Sequence, residues 1–424
     1  MPIGPPLPIR FDPPSRPHIV VTLAMPQPIR TLVLVALTLG LPLGLPLGLP
    51  LGLSTQPSSA EPPVTLRPTD RPIPESIARH FVDPESDSTP AIEYRSPLLL
   101  DDGSTVKTPE DWARRRVEIR QAWDALLGTW PEPIADPRLE VIDSMPRENF
   151  TQHRVRLRWV PNETTQGYLL IPTAPAPEKR PAVISVYYEP ETAIGMAGEL
   201  RDFAYQLAKR GFVTLSLGTT EATKAETYGL YHPSLEAAKV EPLSMLAYAA
   251  STARRALAAR PEVDPARIGI VGHSFGGKWA LFASCLDEGF ACAAWSDPGI
   301  MFQNDRSSIN YWEPWYLGYH PKPWRKRGLI TPDNPAQGAY PKLMEQGRNL
   351  HELHALMAPR PFLVSGGSED PESRWGALAH TIAVNRLLGF ENRVAMTNRP
   401  DHSPNAESNE VIYRFFEHFL PPPR

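Results

Sequence analysis

The sequence predicts an α/β fold, in which a mostly parallel, twisted sheet is covered by helices on both faces. From about residue 151 onward, strand-like apolar runs alternate with helix-like segments. Several of the runs, such as FVTLSLG at 212–218, are apolar along their whole length, as strands buried on both faces are. One run passes through a serine between glycines directly into a helix-like segment, over RIGIVGHSFGGKWALF at 267–282.

A helix is predicted before this region, over TPEDWARRRVEIRQAWDALLG at 108–128. Thr108 followed by Asp111 has the form of a capping box, and Pro109 suits the first helical position. Gly128 and Pro131 end the pattern. The apolar positions recur at near-helical spacing and predict the buried face: Trp112, Val117, Ile119, Trp123 and Leu126.

The N-terminal region is rich in proline and predicts an export signal. From Met25, one positive charge precedes the apolar stretch TLVLVALTL, and small residues stand before a cleavage site at Glu61. The alternative is a membrane anchor over 31–53, but a proline at every fourth residue disfavours that helix, so we expect no stable membrane anchor. We therefore predict an upstream extension and signal peptide at 1–60, a Pro-rich linker at 61–90, and the α/β domain with its N-terminal helix at 91–424. The expected location is secreted or periplasmic.

Composition excludes several other classes of protein. A formal charge of −4 over 424 residues gives no reason to expect nucleic acid as a partner. Cys285 and Cys292 are too few for a disulfide scaffold, and their pairing stays open. The HELH stretch at 351–354 has metal-like spacing without further ligands, and no phosphate-binding glycine loop occurs. We therefore predict neither a metal nor a cofactor.

Ser274 is the candidate nucleophile, because Gly272 and Gly276 complete the pattern G-x-S-x-G between a strand and a helix. This pattern is the nucleophile elbow of the α/β-hydrolase fold. Glycines on both sides allow the sharp turn that projects the hydroxyl away from the sheet. The first donor to an oxyanion would be the amide of Phe275, and the second an amide near Tyr188 or Glu189, in the loop after an earlier strand.

A serine needs a base and an orienting acid, and in this fold the chain order is serine, acid, histidine. His402 is the predicted base, because it follows the last strand and precedes the last helix. Two acids follow neighbouring strands: Asp370, in SGGSEDP, and Asp297, in AAWSDPGI. We prefer Asp370, which lies after the next-to-last strand, and keep Asp297 as the alternative.

From about residue 108 to the end, the chain resembles glucuronoyl esterases and the related acetyl xylan esterase-like hydrolases. The resemblance is carried by the opening helix, the elbow, MAPRPFLVSGGSEDP and the final histidine loop. In the elbow, Gly272, Ser274, Gly277 and Lys278 match that family's G-C-S-R-x-G-K, whereas a histidine and a phenylalanine replace its Cys and Arg. The resemblance implies that Lys278 contacts a sugar; the alternative is a lysine on a solvated helix face.

The segment NDRSSINYWEPWYLGYHPKPW, at 304–324, lies between the two candidate acids. Aromatic rings stack on sugar faces, and acidic groups bind hydroxyls, so Trp312, Glu313 and Trp315 are candidate substrate contacts. The alternative is that these side chains pack the long loop onto the domain.

These features predict a secreted serine hydrolase that cleaves a carboxylic ester through an acyl-enzyme intermediate. Its partner would be a small-molecule or polysaccharide ester. The alternatives are a peptidase of the prolyl oligopeptidase type and a non-catalytic binding protein on the same fold.

Overall fold

The computed structural model of the protein describes residues 71–82 and 94–423, which form one nine-stranded sheet with helices on both faces. The strands are β1 (Glu140–Pro146), β2 (Phe150–Val160), β3 (Glu163–Pro172), β4 (Arg180–Tyr187), β5 (Val213–Gly218), β6 (Val263–His273), β7 (Cys292–Ser296), β8 (Phe362–Gly366) and β9 (Val394–Asn398). The helices are α1 (Glu75–Ala78), α2 (Pro109–Leu127), α3 (Pro190–Ala193), α4 (Phe203–Lys209), α5 (Thr220–Lys224), α6 (Pro242–Ala258), α7 (Phe275–Leu286), α8 (Ala339–Glu345), α9 (His351–Ala355), α10 (Trp375–Leu387) and α11 (Ala406–Phe419).

The strand order across the sheet is β1-β2-β3-β5-β4-β6-β7-β8-β9. Parallel pairing joins the strands β5, β4, β6, β7, β8 and β9 in this order. Strands β1, β2 and β3 form an antiparallel extension at the β5 edge. This arrangement confirms the predicted α/β-hydrolase fold class. The parallel strands end at one common edge, where sites form in such sheets, and β6 delivers Ser274 there between β4 and β7.

Strand β1 was missing from the sequence-based interpretation. Every residue of Glu140–Pro146 is exposed, so the strand carries no burial pattern from which it could be recognised. Its only sheet neighbour among the described residues is β2.

Helix α2 begins as predicted, because the Thr108 side chain and Asp111 form a reciprocal capping box. The predicted buried face is wrong at one position: Val117 is 53% exposed. Arg115 is buried in its place, and its guanidinium lies 2.7 Å from Asp101 and 3.0 Å from Glu118. Hydrophobicity alone could not identify a buried arginine whose charge is compensated by acids.

Two apolar layers enclose the sheet. Helices α6 and α7 pack on one face together with residues of the 303–350 segment, and α4 and α11 cover the other face. Both cysteines are buried free thiols, Cys285 in α7 and Cys292 in β7. No disulfide therefore links them.

Part of the predicted linker is packed on the domain. Ile77 in α1 is buried in the same apolar cluster as Phe416 of α11. Arg79 also forms an ion pair with Glu407 at 3.0 Å. The predicted signal peptide and the rest of the linker lie outside the described residues. Among the helices of 71–82 and 94–423, none combines the length and apolar character that a membrane span requires.

Candidate active site

Ser274 occupies the turn between β6 and α7, with a left-handed φ of 56° and a ψ of −114°. A non-glycine residue in this conformation is strained, and such strain is typical of a nucleophile elbow. A Cβ atom on Gly272 would collide with the carbonyl of Gly276, and one on Gly276 would collide with the carbonyl of Val186. Only glycine fits at both positions, so the turn and the strand beside it fix the place of the serine.

His402 lies in the loop between β9 and α11, and its ring reaches the elbow. Its Nε2 atom is 2.8 Å from Ser274 Oγ, and its Nδ1 atom is 2.7 Å from Asp297 Oδ2. The Asp297 side chain is fully buried, whereas that of His402 is 38% exposed. The three groups thus form a continuous hydrogen-bonded chain that runs from the interior to the surface.

This geometry corrects the preference for Asp370 as the acid, because Asp297 is the carboxylate that contacts His402. The Asp370 carboxylate points the other way and accepts hydrogen bonds from the amides of Gly299, at 2.8 Å, and Ile300, at 2.6 Å. Asp297 adopts a left-handed φ of 51° just after β7, and this conformation is not visible in the sequence.

The loop after β8 supplies backbone amides to Asp297 instead of an acid to His402. The amides of Gly367 and Asp370 donate to Asp297 Oδ1 at 2.7 and 2.8 Å, and that of Glu369 donates to Oδ2 at 3.2 Å. A Cβ on Gly367 would press against the Asp297 carboxylate, so glycine is required there. Three amides thus stabilise a buried negative charge that faces the histidine.

Arg399, which the sequence analysis missed, forms hydrogen bonds with the loop that carries His402. Its guanidinium is buried, donates to the carbonyls of His402 at 2.7 Å and Ser365 at 2.7 Å, and reaches Ser296 Oγ at 3.3 Å. It therefore ties the histidine loop to the ends of β7 and β8. An arginine three residues before a candidate histidine was the only available signal.

His273, directly before the nucleophile, lies beside His402, with 4.7 Å between the ring centroids. Its Nδ1 atom is 3.1 Å from Ser296 Oγ. Burial lowers the pKa of His273 well below its usual range, and the nearby His402 lowers it further. A neutral ring at this place adds no charge that would oppose an imidazolium on His402.

The two predicted oxyanion residues lie next to each other. Phe275 is the first residue of α7, and Tyr188 directly follows β4, the neighbour of β6. Their rings stack with centroids 4.5 Å apart. The structure thus brings the chain at Tyr188 to the side of the elbow.

Lys278 does not reach the surface, which corrects its expected role as a sugar contact. It is 3% exposed, and its Nζ donates to the carbonyl of Pro298 at 2.5 Å. The ring centroid of Tyr311 lies 4.9 Å from Nζ. Burial lowers the pKa of Lys278 to about 8, although the negative charges of nearby carboxylates act in the opposite direction and raise it. The lysine fastens α7 to the loop that follows Asp297.

All three predicted aromatic-segment contacts are buried, and the packing alternative applies to Trp312 and Glu313. The indole of Trp312 is fully buried and donates to the carbonyl of Gly328 at 2.9 Å. Glu313 forms a buried ion pair with Arg325 at 3.0 Å. The segment therefore has a small core of its own, which sequence patterns could not distinguish from a binding face.

Trp315 is also buried, at 5% exposed, but it differs from these two because it lines a pocket of about 290 Å³ beside the elbow. The walls include four aromatic rings, and two of these, Tyr188 and Tyr316, lie 4.5 and 6.1 Å from the ring of Phe275. The remaining lining residues are Glu189, Thr223, Tyr228, Asn310 and Arg327.

In the part of the chain that the structure describes, no group of three or more His, Cys, Asp or Glu side chains could hold a metal ion. The two histidines of HELH are buried in α9.

Comparison with known proteins finds one relative by sequence and several similar folds among solved structures. No family model matches the chain. A 4-O-methyl-glucuronoyl methylesterase of Schizophyllum commune is 27% identical over 195 residues, which are 45% of this chain and 46% of that protein. The chain thus aligns with about half the length of this curated relative.

Among solved structures, a glucuronoyl esterase from Solibacter usitatus superposes with a TM-score of 0.61 and 18% identity, over 78% of this chain and 99% of that one. A carbohydrate esterase family 15 glucuronoyl esterase from Caldicellulosiruptor kristjansonii superposes with a TM-score of 0.54 and 20% sequence identity. The superposition covers 77% of this chain and 90% of that one. The chain is therefore similar in fold to glucuronoyl esterases, and similar in sequence, over less than half its length, to a glucuronoyl methylesterase.

Proposed function

We propose that this protein is a serine hydrolase that cleaves a carboxylic ester on a carbohydrate. The observation that carries the proposal is the Ser274–His402–Asp297 chain, with distances of 2.8 and 2.7 Å, on a strained elbow at the edge of the sheet. The resemblance to glucuronoyl esterases supports the carbohydrate part of the substrate.

In the proposed mechanism, Ser274 Oγ attacks the carbonyl carbon of the ester while His402 Nε2 takes the hydroxyl proton. Asp297 accepts the hydrogen bond from Nδ1 and stabilises the imidazolium. The developing oxyanion accepts hydrogen bonds from the amide of Phe275 and from an amide at Tyr188 or Glu189.

The tetrahedral intermediate collapses when the C–O bond to the alcohol breaks, and His402 returns the proton to the leaving oxygen. Water then attacks the acyl-enzyme with His402 as the base, and Ser274 is regenerated as the acid product leaves. The half-exposed side of His402 gives this water access.

The proposal is tested with methyl glucuronate, para-nitrophenyl acetate and proline-containing peptide anilides. We expect wild-type protein to hydrolyse at least one ester, and Ser274→Ala to lower kcat by about 10⁴- to 10⁶-fold. Ser234→Ala, at an exposed serine, is the matched control. Equal rates for wild type and Ser274→Ala would overturn the assignment, and cleavage of the anilides alone would favour a peptidase.

A fluorophosphonate probe gives a readout that does not depend on the choice of ester. We expect the mass of one probe on the peptide that contains Ser274, and no label after His402→Ala. An unlabelled wild-type protein that also hydrolyses none of the esters would favour a non-catalytic binding protein.

Export is part of the proposal and is supported by the sequence of residues 25–60 alone. We expect the protein recovered from outside the cytoplasm to begin at Glu61, as read by N-terminal sequencing. An exported chain that retains residues 31–53 would instead indicate an anchor.

A further inference from the structure

The pocket beside the elbow contains one cationic side chain among its described lining residues, Arg327. Its guanidinium carbon lies 4.9 Å from the ring centroid of Tyr228 and 4.8 Å from that of Trp315. Two aromatic rings thus contact the guanidinium through cation–π interactions. The Tyr228 side chain also makes a hydrogen-bonding contact with Arg327. Ring contacts and one such hydrogen bond leave the remaining N–H groups of the guanidinium available to a planar acceptor.

The acids near Arg327 do not neutralise it by direct pairing. Glu313 is paired with Arg325 at 3.0 Å in the buried core of the same segment. Glu189 lines the pocket too, yet within residues 71–82 and 94–423 no carboxylate oxygen lies within 4 Å of a nitrogen of Arg327. Arg327 is also exposed, so a ligand can reach it.

The position of the pocket connects this cation with the site of hydrolysis. Tyr188 contacts the ring of Phe275, which directly follows Ser274, and the ring of Tyr228 lies 5.6 Å from that of Tyr188. A group bound at Arg327 is therefore separated from the elbow by two rings. An ester at Ser274 that also contacts Arg327 would therefore have to span these two rings.

We propose that Arg327 binds a carboxylate on the substrate, at a distance from the ester that Ser274 attacks, and so selects anionic over neutral esters. This inference rests on the proposed function of Ser274. Arginine suits the task because its planar, permanently charged fork binds a carboxylate through two parallel hydrogen bonds. The four rings around it would contact the body of a sugar or another flat substrate.

The carboxylate could belong to the acyl part or to the alcohol part of the ester, and paired substrates distinguish the two. Mono-para-nitrophenyl glutarate and para-nitrophenyl pentanoate differ in charge on the acyl side. Para-acetoxybenzoate and para-acetoxybenzamide differ in charge on the alcohol side. For each pair, the measured quantity is the ratio of kcat/KM for the anionic ester to that for the neutral one.

In one of the two pairs, we expect Arg327→Gln to lower this ratio by about tenfold to a hundredfold, as for the loss of a hydrogen bond between charged groups. Arg327→Lys should retain part of the preference, because it keeps the charge without the fork. Lys326→Gln, which removes an exposed charge from the neighbouring position, should leave the ratio unchanged.

An unchanged ratio in both pairs, with hydrolysis that depends on Ser274, would overturn the role of Arg327 and leave the proposed function intact. If no ester is hydrolysed through Ser274, the proposed function fails, and calorimetric titration still tests the pocket. We then expect para-hydroxybenzoate to bind more tightly than para-hydroxybenzamide, with the difference lost in Arg327→Gln. Equal binding of the two compounds would overturn the inference.

Discussion

Asp297 and Asp370 hold each other's loops in place. The carboxylate of Asp297 accepts the amide of Asp370 at 2.8 Å, and the carboxylate of Asp370 accepts the amides of Gly299 and Ile300, just after Asp297. Both side chains are fully buried. The loops after β7 and β8 are therefore interlocked by two acids, of which only Asp297 faces the histidine.

This arrangement separates the expected effects of two matched variants. Asp297→Asn should lower kcat by about 10³- to 10⁴-fold, because an amide no longer stabilises the imidazolium of His402. Asp370→Asn should cost far less activity and act mainly on stability, since one of the two carboxylate oxygens that accept the amides of Gly299 and Ile300 is lost. Steady-state kinetics together with thermal unfolding separate these effects. A larger loss of kcat in Asp370→Asn than in Asp297→Asn would contradict the geometry.

The pH dependence of stability should report on Asp370 as well. Burial raises the pKa of Asp370, and the nearby charge of Asp297 raises it further. For an acid whose pKa is higher in the folded protein, the folded state binds the extra proton, so its contribution to stability is lost as pH rises from 3.8 upward through the raised value. We expect Asp370→Asn to lose less stability than wild type between pH 5 and 8, as measured by urea unfolding. Parallel curves would contradict this origin of the pH dependence.

The sequence was sufficient for the features that depend on local order along the chain. The alternation of strands and helices, the glycines around Ser274 and the late position of His402 are all of this kind. The sequence was not sufficient for the choice between Asp297 and Asp370, because both residues follow neighbouring parallel strands. The choice depends on backbone turns and on amides brought from another loop.

Contacts between distant segments explain the other differences. Lys278 looks like a residue on an ordinary helix surface until Pro298 and Tyr311 cover it. Trp312 and Glu313 look available until Gly328 and Arg325 fold against them. Such burial arises from the packing of a long irregular segment, which has no hydrophobic period from which the buried positions could be predicted.

Arg399 should act as a positioning residue for His402. Arg399→Gln should lower kcat by about a hundredfold with a smaller change in KM, since small displacements of reacting groups have costs of this size. Arg399→Lys should recover part of the loss, because an ammonium can still donate to the His402 carbonyl. A purely structural role would lower the fraction of active protein and leave kcat per active site unchanged. Titration of active sites with the fluorophosphonate probe distinguishes the two.

His354 should make the protein sensitive to acid. It is fully buried beside Trp295, and among residues 71–82 and 94–423 neither of its ring nitrogens has a hydrogen-bond partner. Burial lowers its pKa well below 6.5, and the nearby His351 and His380 lower it further. For a base with a lowered pKa in the folded state, the stability present above pH 6.5 is lost as pH falls below that value.

We therefore expect the unfolding free energy of wild type to fall below pH 6.5 from this residue alone, with a limiting slope of about 1.4 kcal/mol per pH unit where the histidine is protonated in the unfolded chain and neutral in the folded one. His354→Leu, which cannot be protonated, should have a flatter dependence between pH 7 and 5 in urea unfolding. Measurement at pH 8, where the histidine is neutral in both states, gives the packing cost of the substitution separately. If the difference between the two proteins is the same at pH 8 and pH 5, His354 is not the source of the acid sensitivity. A difference that narrows or reverses toward pH 5 is the result expected for a buried neutral imidazole.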